Sequence, residues 1–279
     1  MRTGYLSMFV CLLVSGLLST STQALDIYDT WVQGALVRGR TVPGHTIEFM
    51  KRTVKVTREG YFVVGIGRDT KSEVSLRETM PNGQSILHRF AVKQRKYKEQ
   101  RINGVPKKTV DVPETALKRI RSEQRLVGAA RKVHSQREDF RDVFEWPLTG
   151  PITGVYGSRR VYNGQPRRPH YGIDIAAPTG TLVKAPVAGV VTLVHQNMYF
   201  SGGTLIVDHG HGVSSTFIHL NKVLVKEGDQ LKKGDIIAEV GATGRATGPH
   251  LDWRMNWFNQ RLDPQLLVKP MIIDTANHK

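Results

Sequence analysis

The sequence predicts a mainly β protein: an N-terminal β-sandwich-like domain, one connecting amphipathic helix, and a C-terminal antiparallel β domain. Three observations carry this. From Leu25 to about Val110, short alternating stretches are cut by Pro43-Gly44, Glu59-Gly60, Pro81-Asn82-Gly83 and Asn103-Gly104, the rhythm of a small sandwich of about seven strands. After Pro113, Leu117, Ile120, Val127 and Val133 recur at helical spacing among Lys, Arg, Glu and Gln, which gives a helix of about five turns with proline at a permitted first-turn position. Beyond Trp146 helical periodicity nearly vanishes. Glycine-separated β-branched runs at 189–194, 204–207, 215–218 and 236–240 take its place.

Taken in chain order, residues 1–24 read as an export signal: Arg2, an apolar run from Tyr5 to Leu18, and Thr22-Gln23-Ala24, with cleavage expected after Ala24. The run is shorter than the roughly 20 apolar residues that cross a bilayer, and no later segment is long enough, so no integral membrane segment is expected after cleavage. Cys11 is the only cysteine and lies inside the signal. The mature chain must therefore be stabilised by core burial, a metal, or both, instead of by disulfides. The expected units are a signal peptide (1–24), a β-sandwich-like accessory domain (25–110), a helix and linker (111–145), a second, antiparallel β domain (146–270) and a tail (271–279). The first β unit holds an expected hairpin, Thr53–Thr57 and Tyr61–Gly65 around Arg58-Glu59-Gly60. Its basic stretch from Lys93 to Lys98 reads as a solvated strand face.

The chain has 279 residues, 39% hydrophobic and 23% charged, a composition that argues against wholesale disorder. Lys and Arg outnumber Asp and Glu by 40 to 24, a formal charge of +16 with most of the excess upstream of Pro147. Such a charge favours anionic surroundings: nucleic acid, cell-wall polymer or a membrane face. Export and the lack of a recognition motif disfavour nucleic acid as a partner. The expected location is the periplasm or cell envelope.

Six of the ten histidines fall between 170 and 252. Three groupings matter: His170-Tyr-Gly-Ile-Asp174, His219 in Phe217-Ile218-His219-Leu220, and His250-Leu251-Asp252. Pro169, Gly172 and Pro178 leave too short a span for a helix, so 170–174 should be a strand. On a straight strand His170 and Asp174 would stand about 13 Å apart, too far for one ion with bonds of about 2 Å. The backbone must bend, and Gly172 permits it. His250 and Asp252 are two apart and point to one side of a strand. Asp208-His209-Gly210-His211-Gly212 reads as a turn, with His209 a reserve ligand should Asp252 fail. Trp253 and Trp257 read as core or rim. The segment Ser158 to Arg168, with Arg159, Arg160, Arg167 and Arg168, reads as a mobile basic loop beside His170. The stretch 225–237 has the turn chemistry of biotinyl and lipoyl carriers, but no hairpin presenting a lysine appears between Gly189 and Val225, so carrier function is not expected.

The ordered set Gly-Val-Tyr-Gly (154–157), His-Tyr-Gly-Ile-Asp (170–174), Ala-Pro-Val-Ala-Gly-Val-Val (185–191), Gly-Thr-Leu-Ile-Val-Asp-His-Gly (203–210), Phe-Ile-His-Leu (217–220) and Gly-Ala-Thr-Gly-Arg-Ala-Thr-Gly-Pro-His-Leu (241–251) resembles the lysostaphin and LytM type of zinc endopeptidases. The resemblance runs from about Trp146 to Leu267. It implies a LytM-type peptidase domain that holds one Zn2+ per chain and hydrolyses peptide cross-links of bacterial peptidoglycan. His170 and Asp174 would be metal ligands, and His219 and His250 catalytic histidines. Stem peptides would be the substrate, and the N-terminal domain would position the enzyme, dock a cell-wall protein partner or cover the groove. The third-ligand position, normally histidine, holds Asp252. Aspartate is a legitimate zinc ligand, but two carboxylates and one imidazole would lower the formal site charge from +1 to 0, with a less acidic bound water and slower turnover expected. The competing reading is a catalytically inactive relative that binds or activates another cell-wall hydrolase.

Overall fold

The computed structural model describes residues 25–102, 112–162 and 164–271. The expected export signal, the Asn103-Gly104 turn and all of the tail but Met271 lie outside these residues. Strands alternate with turns through both halves, and one α-helix joins them.

The first half builds two antiparallel sheets. One orders the strands Asp26–Ile27, Leu36–Arg40 and Tyr61–Gly65. The other orders Arg52–Val54, Thr46–Phe49, Glu73–Thr79 and Ser85–Ala91. The hairpin expected around Arg58-Glu59-Gly60 does not form. The chain turns there, with Gly60 at φ 92° and its N–H on Thr57 O at 3.1 Å. Its arms, however, pair elsewhere: Tyr61–Gly65 with Leu36–Arg40, and Arg52–Val54 with Thr46–Phe49. The second pairing closes through Met50 and Lys51, at φ 49° and 61°. This is a two-residue turn of the kind usually marked by Asn or Gly, so residue type hid it. Burial decided the pairing, because Phe62, Val63 and Val64 are all inaccessible and need cover on both sides.

Two basic segments differ from expectation for one reason: each meets an acidic partner in the other half. In Lys93–Lys98 the three lysines are solvated as expected, but the stretch is not a free strand face throughout. Arg95 reaches Asp263 at 2.7 Å, and Tyr97 packs edge-on against Tyr156. The expected basic loop contains a strand, Arg159–Tyr162, which pairs in parallel with Glu99–Ile102 and antiparallel with Gln165–Pro166. Arg159 forms an ion pair with Glu99.

The helix Glu114–Ala130 follows Pro113, and Val133 lies beyond its end. The main sheet orders Gln230–Leu231, Gly189–Met198, Gly202–Gly210, Val213–Leu220, His250–Trp257, Ile173–Ala176 and Ile152–Gly154, with Gln260–Leu262 also pairing with His250–Trp257. Every pairing within it is antiparallel. One face carries Leu205, Val207, Phe217, Leu251, Trp253, Met255 and Trp257, all part of a core that also contains Trp31, Phe49 and Val64 of the first half. Gly65 lies so close to Trp257 that a Cβ there would stand 2.6 Å from Trp257 Cβ. Trp253 and Trp257 are therefore core residues. On the opposite face Val127 and Ala130 of the helix pack on Leu193, Met198 and Ile206. With both faces covered, the central strands Gly202–Gly210 and Val213–Leu220 are buried throughout, so their sequences mix apolar with buried polar residues and no exposed face alternates with a buried one.

Buried histidines make this core sensitive to acid. His209 is inaccessible, with Nδ1–H donating to Ala188 O and Nε2 accepting from Ser215 Oγ, both at 2.7 Å. Removal from water pushes its pKa down to about 4, and burial does the same to His211. Between pH 6.5 and 4 the unfolded chain binds protons that the folded chain refuses, so stability is full above 6.5 and falls as the pH drops, by about 3 kcal/mol per histidine near pH 4. Thermal melts of metal-free protein should show Tm falling from pH 7 to pH 4.5, with a shallower fall in His209→Gln. A Tm equally steep in both proteins would remove His209 as a cause.

Candidate metal centre

The register of two strands sets the centre. Asp174 on Ile173–Ala176 stands directly opposite Asp252 on His250–Trp257, both on the sheet face that the helix partly covers. His170 precedes the strand. Its N–H donates to Ser158 O and its carbonyl accepts from Gly157 N–H, both at 2.8 Å, and the chain bends at Gly172 before the strand begins at Ile173. The bend brings His170 Nε2 to 3.2 Å from Asp174 Oδ1.

Glycine at 172 is required for room as well as for bending. A Cβ there would lie 2.2 Å from Asp252 Oδ1 and 2.7 Å from Arg254 Cγ. Gly154 does the same for the other carboxylate, since its Cβ would meet Asp174 Oδ2 at 2.1 Å.

One ligand atom each of His170, Asp174 and Asp252 lies within 4.8 Å of the others. His170 Nε2 and Asp174 Oδ1 are buried with no hydrogen-bond partner. Bonds of about 2 Å to a common ion would place such atoms at most about 4 Å apart, so a small side-chain rotation suffices. One imidazole nitrogen and two carboxylate oxygens suit a divalent cation such as zinc. Burial lowers the basicity of His170, but the carboxylates of Asp174 and Asp252 outweigh it and hold the imidazole above its ordinary pKa. The pocket is built for positive charge.

Asp252 is almost inaccessible and is gripped by its own strand neighbour two residues on. Arg254 Nε donates to Oδ1 at 2.9 Å and Oδ2 at 3.1 Å, and Nη2 donates to Oδ2 at 2.5 Å. Burial alone would raise the Asp252 pKa. The Arg254 charge and hydrogen bonds overcome it and hold the carboxylate below its ordinary value. This alters the expected charge of the centre: the cation of Arg254 offsets the extra carboxylate, so a divalent ion here would sit at a formal +1, not 0. Arg254 was missed by sequence reasoning, though its i+2 spacing from Asp252 on a strand was the available signal.

Two further imidazoles border the centre. His219 follows Ile218, which pairs with Asp252, so simple alternation would aim it at the opposite face. Its φ of 64° breaks that alternation, a strained backbone of the kind concentrated at functional sites. His219 Nδ1 lies 2.8 Å from Thr243 O and His250 Nδ1 lies 2.8 Å from Gly248 O. A carbonyl only accepts, so each Nδ1 carries the proton, and in the neutral ring each Nε2 presents a lone pair. The rings stand 4.9 Å apart, centre to centre, and His250 Nε2 is 3.8 Å from Asp174 Oδ1. Burial holds His219 below the ordinary histidine pKa, against the Thr243 hydrogen bond and the Asp252 charge. Thr243 is itself fixed: its hydroxyl donates to Leu220 O and accepts from Gly203 N–H. His209, the reserve ligand, is not at the centre and sits in the core with Ser215 and Phe144. The 208–212 stretch ends a strand and turns, with Gly210, His211 and Gly212 all at positive φ.

Comparison with known proteins places these features in context. The model of Peptidase family M23 matches residues 168–264. A Vibrio cholerae protein, peptidoglycan DD-endopeptidase ShyB, is 40% identical over 95 residues, 34% of this chain and 22% of that protein. The Neisseria meningitidis DD-carboxypeptidase/endopeptidase Mpg is 37% identical over 103 residues, 37% of this chain and 24% of that one. The chain thus spans about a quarter or less of the length of these curated relatives. A crystal structure from Pseudomonas aeruginosa, assigned as a peptidase M23, aligns with a TM-score of 0.68 and 30% identity over 86% of this chain and 96% of that one.

The Gly172 contacts give a test of the centre. Gly172→Ala should displace the Asp252 carboxylate and weaken zinc binding at least about tenfold, as loss of ligand support does elsewhere. Chelator competition measures it, and wild-type affinity in the variant would remove Asp252 from the ligand set.

Proposed function

The chain belongs to peptidase family M23, and from that membership we propose that it is an exported zinc-dependent endopeptidase hydrolysing peptide cross-links of bacterial peptidoglycan. One observation carries the reading. Three ligand atoms converge within 4.8 Å, two of them buried without a hydrogen-bond partner, beside two imidazoles whose Nδ1–H groups are engaged by backbone carbonyls so that each Nε2 keeps its lone pair. The activities by which the Vibrio and Neisseria relatives are named support the substrate class and, with it, a periplasmic or envelope location. No helix among the described residues is long and apolar enough to cross a membrane. The region 146–270 is the proposed peptidase unit, with 25–110 as an accessory unit whose described residues share a core with it.

In this reading His170 Nε2 and the carboxylates of Asp174 and Asp252 hold the metal. Zinc, when bound, polarises the scissile carbonyl and lowers the pKa of water toward about 7. Arg254 keeps Asp252 ionised and in place. His219 and His250 are proton acceptors as their tautomers stand, so either can take a proton from the attacking water. Only the imidazolium so formed can donate at Nε2, to the leaving amine or to the developing oxyanion. The carbonyls of Thr243 and Gly248 fix both rings in the accepting tautomer.

Purified protein with one equivalent of zinc should release new amino termini from peptidoglycan. His219→Ala should reduce the rate at least about a hundredfold, the usual worth of a positioned acid–base group. Asp252→Ala should lose stoichiometric zinc. Failure of zinc-loaded wild type to release any amine would reject hydrolysis of this substrate.

A further inference from the structure

Three guanidinium groups gather on the metal-bearing face of the sheet. Arg254 stands opposite Thr216 on the neighbouring strand, and Arg261 stands opposite Asn256 on the other side, so both side chains share the face of Asp252. Arg131, at the end of the helix, reaches the same row, with its Nη2 donating to Thr216 Oγ1 at 3.1 Å. Arg261 donates to Asn256 Oδ1 at 3.3 Å and lies over the Tyr171 ring.

The charges do not balance. Asp252 is consumed by Arg254, and among the described residues neither Arg131 nor Arg261 forms an ion pair with a carboxylate. Arg131 is 8% exposed, and its Nε is buried with no hydrogen-bond partner. Burial and the like charges of its arginine neighbours depress the basicity of Arg131, and burial with the Arg254 charge brings Arg261 down to about 10. Buried charge without a counter-charge is strongly destabilising. A row of such groups beside a metal centre is stabilised by an anion that arrives from outside.

We propose that Arg131, Arg254 and Arg261 form a carboxylate subsite that binds the substrate residue just beyond the scissile bond. The inference rests on the hydrolase reading for its placement. Arg254 Nη2 holds Asp252 Oδ2 at 2.5 Å, so the arginine row begins directly at a proposed metal ligand, within reach of the next residue of an extended substrate, which covers about 3.5 Å. Guanidinium is the side chain best matched to a carboxylate, through paired N–H donors. Arg254 and Arg261 are partly exposed and would meet the ligand, while Arg131 backs them from beneath the helix. Two sources share this chemistry. The released amine bears an adjacent carboxylate when it is a chain-terminal amino acid, and also when it is a diamino acid whose cross-linked amine neighbours a free carboxyl group.

The test uses paired peptides that differ only in this group. One pair ends in a terminal amino acid as carboxylate or carboxamide; the other carries a diamino-acid linkage with the same two forms. Zinc-loaded wild type should favour the carboxylate by at least about tenfold in kcat/KM, the low end for a charged hydrogen-bonded pair, and the pair with the larger ratio identifies the source. The preference should collapse toward unity in Arg261→Gln and Arg131→Gln, each checked for native circular dichroism. Arg254 is left intact because it also holds Asp252. Calorimetric binding of the same peptides to catalytically inert His219→Ala gives a readout independent of turnover. A carboxylate preference in binding without cleavage by wild type would sink the hydrolase reading and leave the subsite standing. Equal binding of carboxylate and carboxamide, or a preference that survives both substitutions, would overturn the subsite.

Discussion

Two carboxylates facing one another across an antiparallel strand pair govern the second half of this protein. Asp174 and Asp252 are direct partners in register, an arrangement that is destabilising unless positive charge enters between or beside them. The surrounding residues supply that charge or make room for it. His170 is bent back until its Nε2 meets Asp174, Arg254 closes on Asp252 with two nitrogens, and Gly154 and Gly172 omit the side chains that would otherwise fill the carboxylates' space. Moving either strand by one residue would turn a carboxylate to the opposite face and dissolve the centre.

That register is held by what lies on the other face. Trp253, Phe217 and Leu251 pin the strands into a core shared with the first half, where Gly65 and Phe49 close against Trp257. The first half is therefore more than an appendage, because its sheets complete the floor on which the centre's strands rest. The helix presses on the face that carries the two carboxylates with Val127 and Ala130 and delivers Arg131 beside Thr216. Arg131 there adds to the guanidiniums that the strands supply from Arg254 and Arg261.

Much of this was legible in the chain. The helix after Pro113 formed over Glu114–Ala130 because apolar spacing and a proline start are local signals. Two sheets filled 25–91 as turn residues suggested, and the bend at Gly172 followed from a reach that a straight strand cannot make. Pairing choices were harder to read. The Arg58–Gly60 turn exists, yet its arms join other strands, since burial of Phe62 to Val64 outweighed proximity in sequence. Basic segments taken as solvated or mobile became ordered where Asp263 and Glu99 of the opposite half met Arg95 and Arg159.

By itself the sequence determined the residue types and their order: a glycine where the chain must bend, β-branched runs for strands, and a set of imidazoles and carboxylates in one half. These are properties of short windows, where backbone sterics and side-chain volume act directly. Tertiary structure decided which of them meet. It set Asp252 opposite Asp174, turned His219 at positive φ toward His250, sent His209 into the core, and gave Asp252 the guanidinium of Arg254. Contacts of that kind depend on strand register and on burial against distant chain, and both emerge only when the whole core closes.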